Sequence, residues 1–580
     1  MTDKEEKYVG SVSQQECEIA ETALLEFNRG NYNNCLQEIN KLENRTFDFK
    51  VSHNKIVAEY YKSELKKTEA FQKNLNYLLN QFSIRLEKLD DVDHCVAHFN
   101  LAVVYFHNNQ YTQTLRIMER VYKFIEPMDE TLAKQVGLLL VELQLSVKQI
   151  DKAMTLLVYL ENYFTNTSVT ELKGGKNVGK EQSDKKSTTP VEESFKKKLA
   201  VYKARCYLMN HNLESFKKEV AVLQNSKSAA FLFLTANLEY LQGNHKECMN
   251  ILDMIPMDIF NYSEHGESSR VMKLNNLAAV YHSMGKFNLA AHYFHQALKE
   301  DAKFYHSSSK DSSENRPLYV LGGSRYHEII YNMGISLLHA GKPVQAFECL
   351  TIAVRRYHRN SRLWLRLAEC CITANKESNE VDFDIQKKQK EMVVEVIGSK
   401  SNRKVILTKS LSSDKKYSVV EPVSYAVPMP TLEFAMLCLR NAYNLLPSDT
   451  AASPVPLLLI PGVTPPAPPL TPGPAPSSSL SQSSVASLKN SILAASAYVA
   501  VSLGDYVLAL EHAQNLLSQP KISGVHILLG HLYAAEALLL MDKITEALEH
   551  LNPENIKDIS LEFPEDSEEE TMKNNPPTSV

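Results

Sequence analysis

Few side chains in this chain stand at a spacing that could do chemistry. Asn332, Arg362 and Arg366 are the main candidates, because an amide and two guanidinium groups are donors suited to holding a carboxylate. His292 and His295 form an i, i+3 pair that a helix would place on one face. Two imidazoles without a third ligand do not make a metal site, so a helix-surface role is the simpler reading. Nine cysteines run from Cys17 to Cys438 without a C-x-x-C pair, and Cys370 and Cys371 are merely adjacent. Most sit among apolar neighbours, as Cys349 does in AFECL, which suits buried, reduced thiols in a cytoplasmic and nuclear protein. Gly174-Gly175 and Gly322-Gly323 lack the frame of a phosphate loop, and neither H-E-x-x-H nor G-x-S-x-G occurs. The expectation is a chain with no catalytic residue, no cofactor and no metal, which binds rather than reacts.

The bulk properties agree with that reading. At 580 residues the chain exceeds what one core serves, which implies several domains or a solenoid. Hydrophobic content of 44% and charged content of 23% are ordinary for a folded chain. A net charge of −5 offers no global basic surface, so no direct nucleic-acid contact is expected. The N-terminal MTDKEEKYVG has no signal-peptide core, and no uninterrupted run of about 18 apolar residues predicts a membrane span.

What would position the candidate side chains is a repeat of about 34 residues. Numbered from Val271, the cleanest copy places Leu277, Ala278 and Tyr281 at positions 7, 8 and 11, and Gly285 at 15. Phe287, Ala290, Phe294 and Ala297 follow at 17, 20, 24 and 27. Small residues at 8 and 20 let two helices of a hairpin approach, large ones fill the space between them, and glycine at 15 ends the first helix. A second copy from His327 has Gly334, Gly341, Ala346 and Leu350 at 8, 15, 20 and 24. A third from Ser361 sets Trp364, Leu367, Ala368 and Cys371 at 4, 7, 8 and 11. It breaks off near Asn375 and resumes at Thr431 with Ala435, Leu439 and Ala442, so residues 376–430 read as an insertion within one repeat. Weaker copies involve Ala23, Gly30 and Cys35, then Leu101 and Ala102, Leu140 and Ala153, Ala204 and Phe216, Ala236 and Gly243, Ala497 and Gly504, and Ala535 and Ala547. This is the pattern of the tetratricopeptide repeat (TPR). The fold expected is all-α, a right-handed TPR helical-hairpin solenoid with disordered insertions.

The organisation expected is a disordered N-terminus at 1–15, TPR-like helices at 16–164 and a disordered linker at 165–194. TPR repeats at 195–300 and a loop at 301–325 follow, then repeats at 326–447 that carry the 376–430 insertion. That insertion holds an apolar stretch, EMVVEVIG, and a basic-apolar stretch, NRKVILTKS, and the latter is suited to adding a short strand or docking on the solenoid. A Pro/Ser-rich linker at 448–487, C-terminal repeats at 488–557 and a disordered acidic tail at 558–580 complete the chain.

In a TPR array, positions 2, 5, 6, 9, 12 and 13 of the first helix face the groove. Asn332 falls at 6 of its copy, and Arg362 and Arg366 at 2 and 6 of the next. These match part of the carboxylate clamp of TPR co-chaperones, but Asn275 and Ala279 stand where that clamp needs Lys and Asn. Asn332 can instead bond a neighbouring backbone, and the arginines can pair with acidic side chains. The surface that binds partners is thus not fixed by these three residues.

Longer segments carry a closer resemblance. GNYNNCLQEI at 30–39, RYHEIIYNMGISLLHAGKP at 325–343, SRLWLRLAECCITANK at 361–376, SILAASAYVA at 491–500 and LGHLYAAEALLLMDKITEALEHLNPENI at 529–556 resemble the family of subunit ten of the CCR–NOT mRNA deadenylase complex. The likeness runs from about residue 16 to residue 560 and fades in the polar loops. It implies a non-catalytic scaffold or adaptor in mRNA deadenylation and decay, translational repression, RNA-mediated gene silencing and transcription regulation. It also implies subunit eleven and the large scaffold subunit as partners in a hetero-oligomer. Family members continue with further TPR helices after the stretch matching LNPENI, so a C-terminally shortened form is expected. The competing function is a TPR co-chaperone or another peptide-binding adaptor.

Overall fold

The computed structural model describes residues 13–42, 48–84, 89–170, 190–223, 228–257, 266–306, 317–378, 393–407, 428–446, 482–557 and 559–560. Most of the segments expected to be disordered or linking lie outside these residues. The described chain is a succession of helical hairpins, each with a first helix A and a second helix B. The first six pair α1 (Gln14–Asn28) with α2 (Tyr32–Asn40), α3 (Phe49–Lys62) with α4 (Thr68–Gln81), and α5 (Cys95–His107) with α6 (Tyr111–Val121). They continue with α7 (Glu130–Ser146) and α8 (Ile150–Thr170), α9 (Pro190–Met209) and α10 (Leu213–Leu223), and α11 (Ala229–Leu241) and α12 (His245–Met254). Next come α13 (Ser269–Ser283) and α14 (Phe287–His306), a single turn α15 (Leu318–Leu321), and α16 (Tyr326–His339) with α17 (Pro343–Tyr357). The last pairs are α18 (Ser361–Ser378) with α19 (Leu432–Asn444), α20 (Gln482–Leu503) with α21 (Tyr506–Leu517), and α22 (Gly524–Leu540) with α23 (Ile544–His550).

Two compact units result. The first comprises Met1–Val280, Gln296–Tyr326 and Pro469–Ser478, the second Tyr281–His295, His327–Pro468 and Ser479–Val580. One core cluster in the first unit runs without a break from Tyr60 in α3 to Cys206 in α9, through Leu75, Leu101, Met118, Leu143 and Leu160. In the second unit the layers between α20, α21 and α22 are built largely of alanines, such as Ala497 with Ala513 and Ala534, and Ala500 with Ala509 and Ala537.

Local chemistry explains the hairpins. At the start, Ser13 and Glu16 form a reciprocal cap, the Glu16 carboxylate accepting from the Ser13 N–H at 2.8 Å and the Ser13 hydroxyl from the Glu16 N–H at 3.3 Å. Most A helices among the described residues then end in a tight left-handed turn. Gly285 has φ +73°; its N–H donates to the His282 carbonyl and that of Lys286 to the Tyr281 carbonyl, each at 2.9 Å. The same two bonds recur around Asn109, Lys148, His211 and Asp542, all at positive φ although none is glycine. Helix B can then lie close. A Cβ on Gly334 would stand 2.7 Å from Leu350 Cδ2, and one on Gly137 would stand 2.6 Å from Leu160 Cδ2. Ala278, Ala290, Phe294 and Ala297 of the best copy are fully buried.

The structure adjusts several boundaries. Helix α8 runs on to Thr170 and α9 begins at Pro190, inside the segment expected as a linker. Helix α14 extends to His306 and α15 lies within the expected 301–325 loop, while α20 begins at Gln482 within the Pro/Ser-rich segment. Across the insertion, α18 packs against α19 as an A–B pair, with the Ser361 hydroxyl donating to the Ala442 carbonyl at 2.7 Å. The insertion itself contains an antiparallel hairpin, β1 (Val393–Ile397) and β2 (Lys404–Leu407), an exception to the all-α expectation. By length and composition one helix among the described residues would also suffice to cross a membrane, Ser484–Leu503 in α20, with a mean hydropathy of 1.2. Its run is interrupted by Ser487, Lys489, Asn490 and Ser491, and it packs in the second unit against α21 and α22.

Gly285→Ala is expected to weaken the α13–α14 hairpin by about 1–2 kcal/mol through left-handed strain, and Gly285→Asn by less, since Asn109 already adopts this turn. Native-state hydrogen exchange of the two helices measures this; equal protection in wild type and Gly285→Ala would remove the turn's assigned role.

Candidate functional site

The A helices of the second unit carry a polar ladder. Asn332 lies on α16 and is 8% exposed. Arg362 and Arg366 lie one turn apart on α18, both half-buried. Arg366 donates to the Glu369 carboxylate at 2.6 Å, so this arginine is already paired within its own helix. Burial pushes the Tyr331 hydroxyl up, the charges of Arg366 and Arg362 oppose that, and Glu369 adds to it. Tyr331, Arg362, Arg366 and Glu369 therefore form one electrostatic group spanning α16 and α18.

The ladder continues to α13. His282 Nδ1 and the Ser336 hydroxyl are 2.9 Å apart. His282 and His339 rings lie 5.3 Å apart, and Phe287 stacks on His339 at 5.2 Å. Burial, with His339 adding to it, pulls the His282 imidazole down to about 4, so it is neutral at physiological pH. Burial likewise lowers His339, with Arg366 adding to the effect. Chemically this is a largely buried network of mixed donors and acceptors, with Tyr331, Asn332, Ser336 and His282 buried and Arg362 and Arg366 half-buried. It is not a bare pair of guanidinium groups awaiting a carboxylate. Tyr331, Ser336, His339, Glu369 and His282 escaped the sequence reading. Their signal was position, since all but Ser336 fall at groove-facing repeat positions.

The first unit has its own network on A helices. Arg205 on α9 donates to both Glu142 oxygens on α7, at 2.6 Å and 3.1 Å, and its guanidinium lies 5.3 Å from the centre of the Tyr202 ring. Burial alone would raise the Glu142 carboxyl, but Arg205 and the Tyr202 hydroxyl hold it below the usual range. Burial and Glu142 push the Tyr202 hydroxyl up. Neither partner stood out in the sequence, because they lie 63 residues apart in weak repeat copies.

Among the described residues, no group of three or more His, Cys, Asp or Glu side chains stands where a metal would be held. His292 and His295 are both exposed on α14. Of the cysteines only Cys17 is exposed. Burial pushes the Cys95, Cys206 and Cys349 thiols up to about 11 and those of Cys248 and Cys371 to about 12, and it moves Cys370 and Cys438 upward as well. Such thiols are protonated at neutral pH and are poor nucleophiles.

Glu142→Gln is expected to cost about 1–2 kcal/mol at neutral pH. The depressed carboxyl makes its contribution fully above an unfolded-state pKa of about 4.3 and loses it as pH falls through the folded value. Wild type and variant should therefore converge in acid. Thermal melts at neutral and acidic pH test this, and a gap unchanged by acid would overturn the assignment.

Comparison with known proteins supplies the family. A tetratricopeptide repeat model matches residues 271–299, the copy that set the repeat numbering. The CNOT10 tetratricopeptide repeat domain model matches residues 487–578, through the acidic segment at the C-terminus. The CCR4-NOT transcription complex subunit 10-B of Xenopus laevis is 38% identical over 600 residues, covering 96% of this chain and 80% of that protein. The subunit 10 protein of Danio rerio is 40% identical over 435 residues, covering 68% of each chain. That of Drosophila melanogaster is 27% identical over 560 residues, covering 91% of this chain and 83% of its own. An A–B hairpin array with polar A-helix faces, and relatives that align along nearly its whole length, place this chain in the CCR4-NOT transcription complex subunit 10 family.

Proposed function

We propose that the chain is a non-catalytic scaffold subunit of the CCR4–NOT complex, acting by protein–protein binding in mRNA deadenylation and decay. The observation that carries this reading is the 38% identity to a named complex subunit over 96% of the chain. The fold supports it physically. A hairpin array offers long A-helix and B-helix faces, and its cost of ordering is met inside each unit, so the surface is preformed for partners. Its partners are subunit eleven and the N-terminal region of the large scaffold subunit, as the family resemblance implies. Translational repression, RNA-mediated gene silencing and transcription regulation follow from the assembly rather than from chemistry of this chain. The chain works in both cytoplasm and nucleus, and nucleic acid is contacted by other subunits.

Co-expression with subunit eleven and the N-terminal region of the large scaffold subunit is expected to give a stable ternary complex by gel filtration. The purified chain alone should leave a poly(A) substrate intact. Failure to join either partner would sink the scaffold assignment, and poly(A) shortening by the isolated chain would sink the non-catalytic one.

A further inference from the structure

Residues 317–325, PLYVLGGSR, belong to no helix pair, yet they are held against the α3–α4 turn, the end of α5 and the residues ahead of α13 in the first unit. The Leu318 N–H donates to the Leu65 carbonyl, in the turn between α3 and α4, at 3.1 Å. Leu318 is 7% exposed and Val320 2% exposed, and Leu318 joins the core cluster of α3 to α9 with Leu321 packed against it. A Cβ added to Gly322 would stand 3.1 Å from the His107 carbonyl at the end of α5. One added to Gly323 would stand 1.6 Å from the Gly266 carbonyl, just ahead of α13. The segment closes with Ser324 donating to Asp301 at 2.9 Å and Arg325 donating to Glu267 at 2.9 Å.

These are the contacts by which a helical groove holds a short ligand: a backbone bond, two aliphatic anchors one residue apart, a close backbone approach and a terminal ion pair. The helix pairs beneath are complete without the segment, since α3 packs with α4 and α5 with α6. We propose that this side of the first unit is a docking groove for an aliphatic-x-aliphatic segment followed by small residues and arginine, and that residues 317–325 occupy it in cis. A partner segment of the same chemistry enters only by displacing them. Tethering gives the internal segment an effective concentration on the order of millimolar, so a free peptide of modest affinity is excluded from the intact protein.

The test uses the full chain and a fluorescent peptide of residues 317–325. Gly323→Val unseats the segment by collision with the Gly266 carbonyl and removes no apolar anchor. Leu318→Ser with Val320→Ser removes the anchors. Each variant is expected to bind the peptide about tenfold or more tightly than wild type does, and a peptide with serine at both anchor positions should not bind. Three results would overturn the proposal: folded variants that ignore the peptide, wild type that binds it equally well, or loss of the helical circular dichroism signal in both variants. The last would make the segment an integral part of the core.

Discussion

Everything in this molecule depends on two helices being allowed to touch, and that depends on how the first one stops. In all but the α18–α19 pair, the described A helices turn back within a few residues through a tight turn at positive φ, whose neighbours satisfy the last carbonyls. Where glycine occupies the turn, as at Gly285, the conformation is nearly free. Where Lys148, His211 or Asp542 occupies it, the packed helices on either side must outweigh a left-handed strain of about 1–2 kcal/mol. The turn is therefore imposed by the hairpin as much as it creates it. Small residues at the crossing complete the arrangement. Gly334 against Leu350 and Gly137 against Leu160 let a leucine side chain of one helix pack directly on the bare backbone of the other, where a Cβ would crowd it.

Both helices of a hairpin supply the core, as Leu101 and Leu143 do on A helices and Met118 and Leu160 on B helices, and the polar residues on the A helices are organised rather than scattered. Glu142 with Arg205 and Tyr202, and Tyr331 with the Arg362–Arg366–Glu369 group, place opposite charges side by side at half-buried positions. Such pairs contribute little net stability once desolvation is counted, but they are costly to break singly. Their effect is to fix the rotation of one A helix against the next, which keeps the face presented to a partner constant.

Legibility in the sequence followed the range of the interaction. The repeat from Val271 was readable because each constraint within a hairpin recurs at a fixed offset. The split repeat of α18 and α19 was readable too, since both halves kept their small residues, Ala368 and Ala435, on either side of the insertion. Of that insertion's two apolar stretches only NRKVILTKS read as a short strand; β2 lies there, and its partner β1 lies in EMVVEVIG, which carried no such expectation. Contacts without a period were invisible. Nothing in PLYVLGGSR announces that Leu318 meets Leu65 or that Gly323 meets Gly266, because the first pair lies more than 250 residues apart and neither pair recurs at a fixed repeat offset. The groove residues were half legible. Arg366 was found by its position, but Glu369, three residues on, changed what that arginine is free to do.

The buried cysteines have one more consequence. Cys35, Cys95, Cys206, Cys248 and Cys349 lie on five different hairpins, and Cys370, Cys371 and Cys438 share a sixth. All are shielded and protonated in the folded chain, whereas Cys17 is exposed. A stacked array loosens hairpin by hairpin rather than all at once. Each thiol then becomes alkylatable only while its own hairpin is open, with Cys17 marking the unprotected rate. The chain thus carries natural reporters of local opening along its length, readable by pulse labelling without introducing a probe.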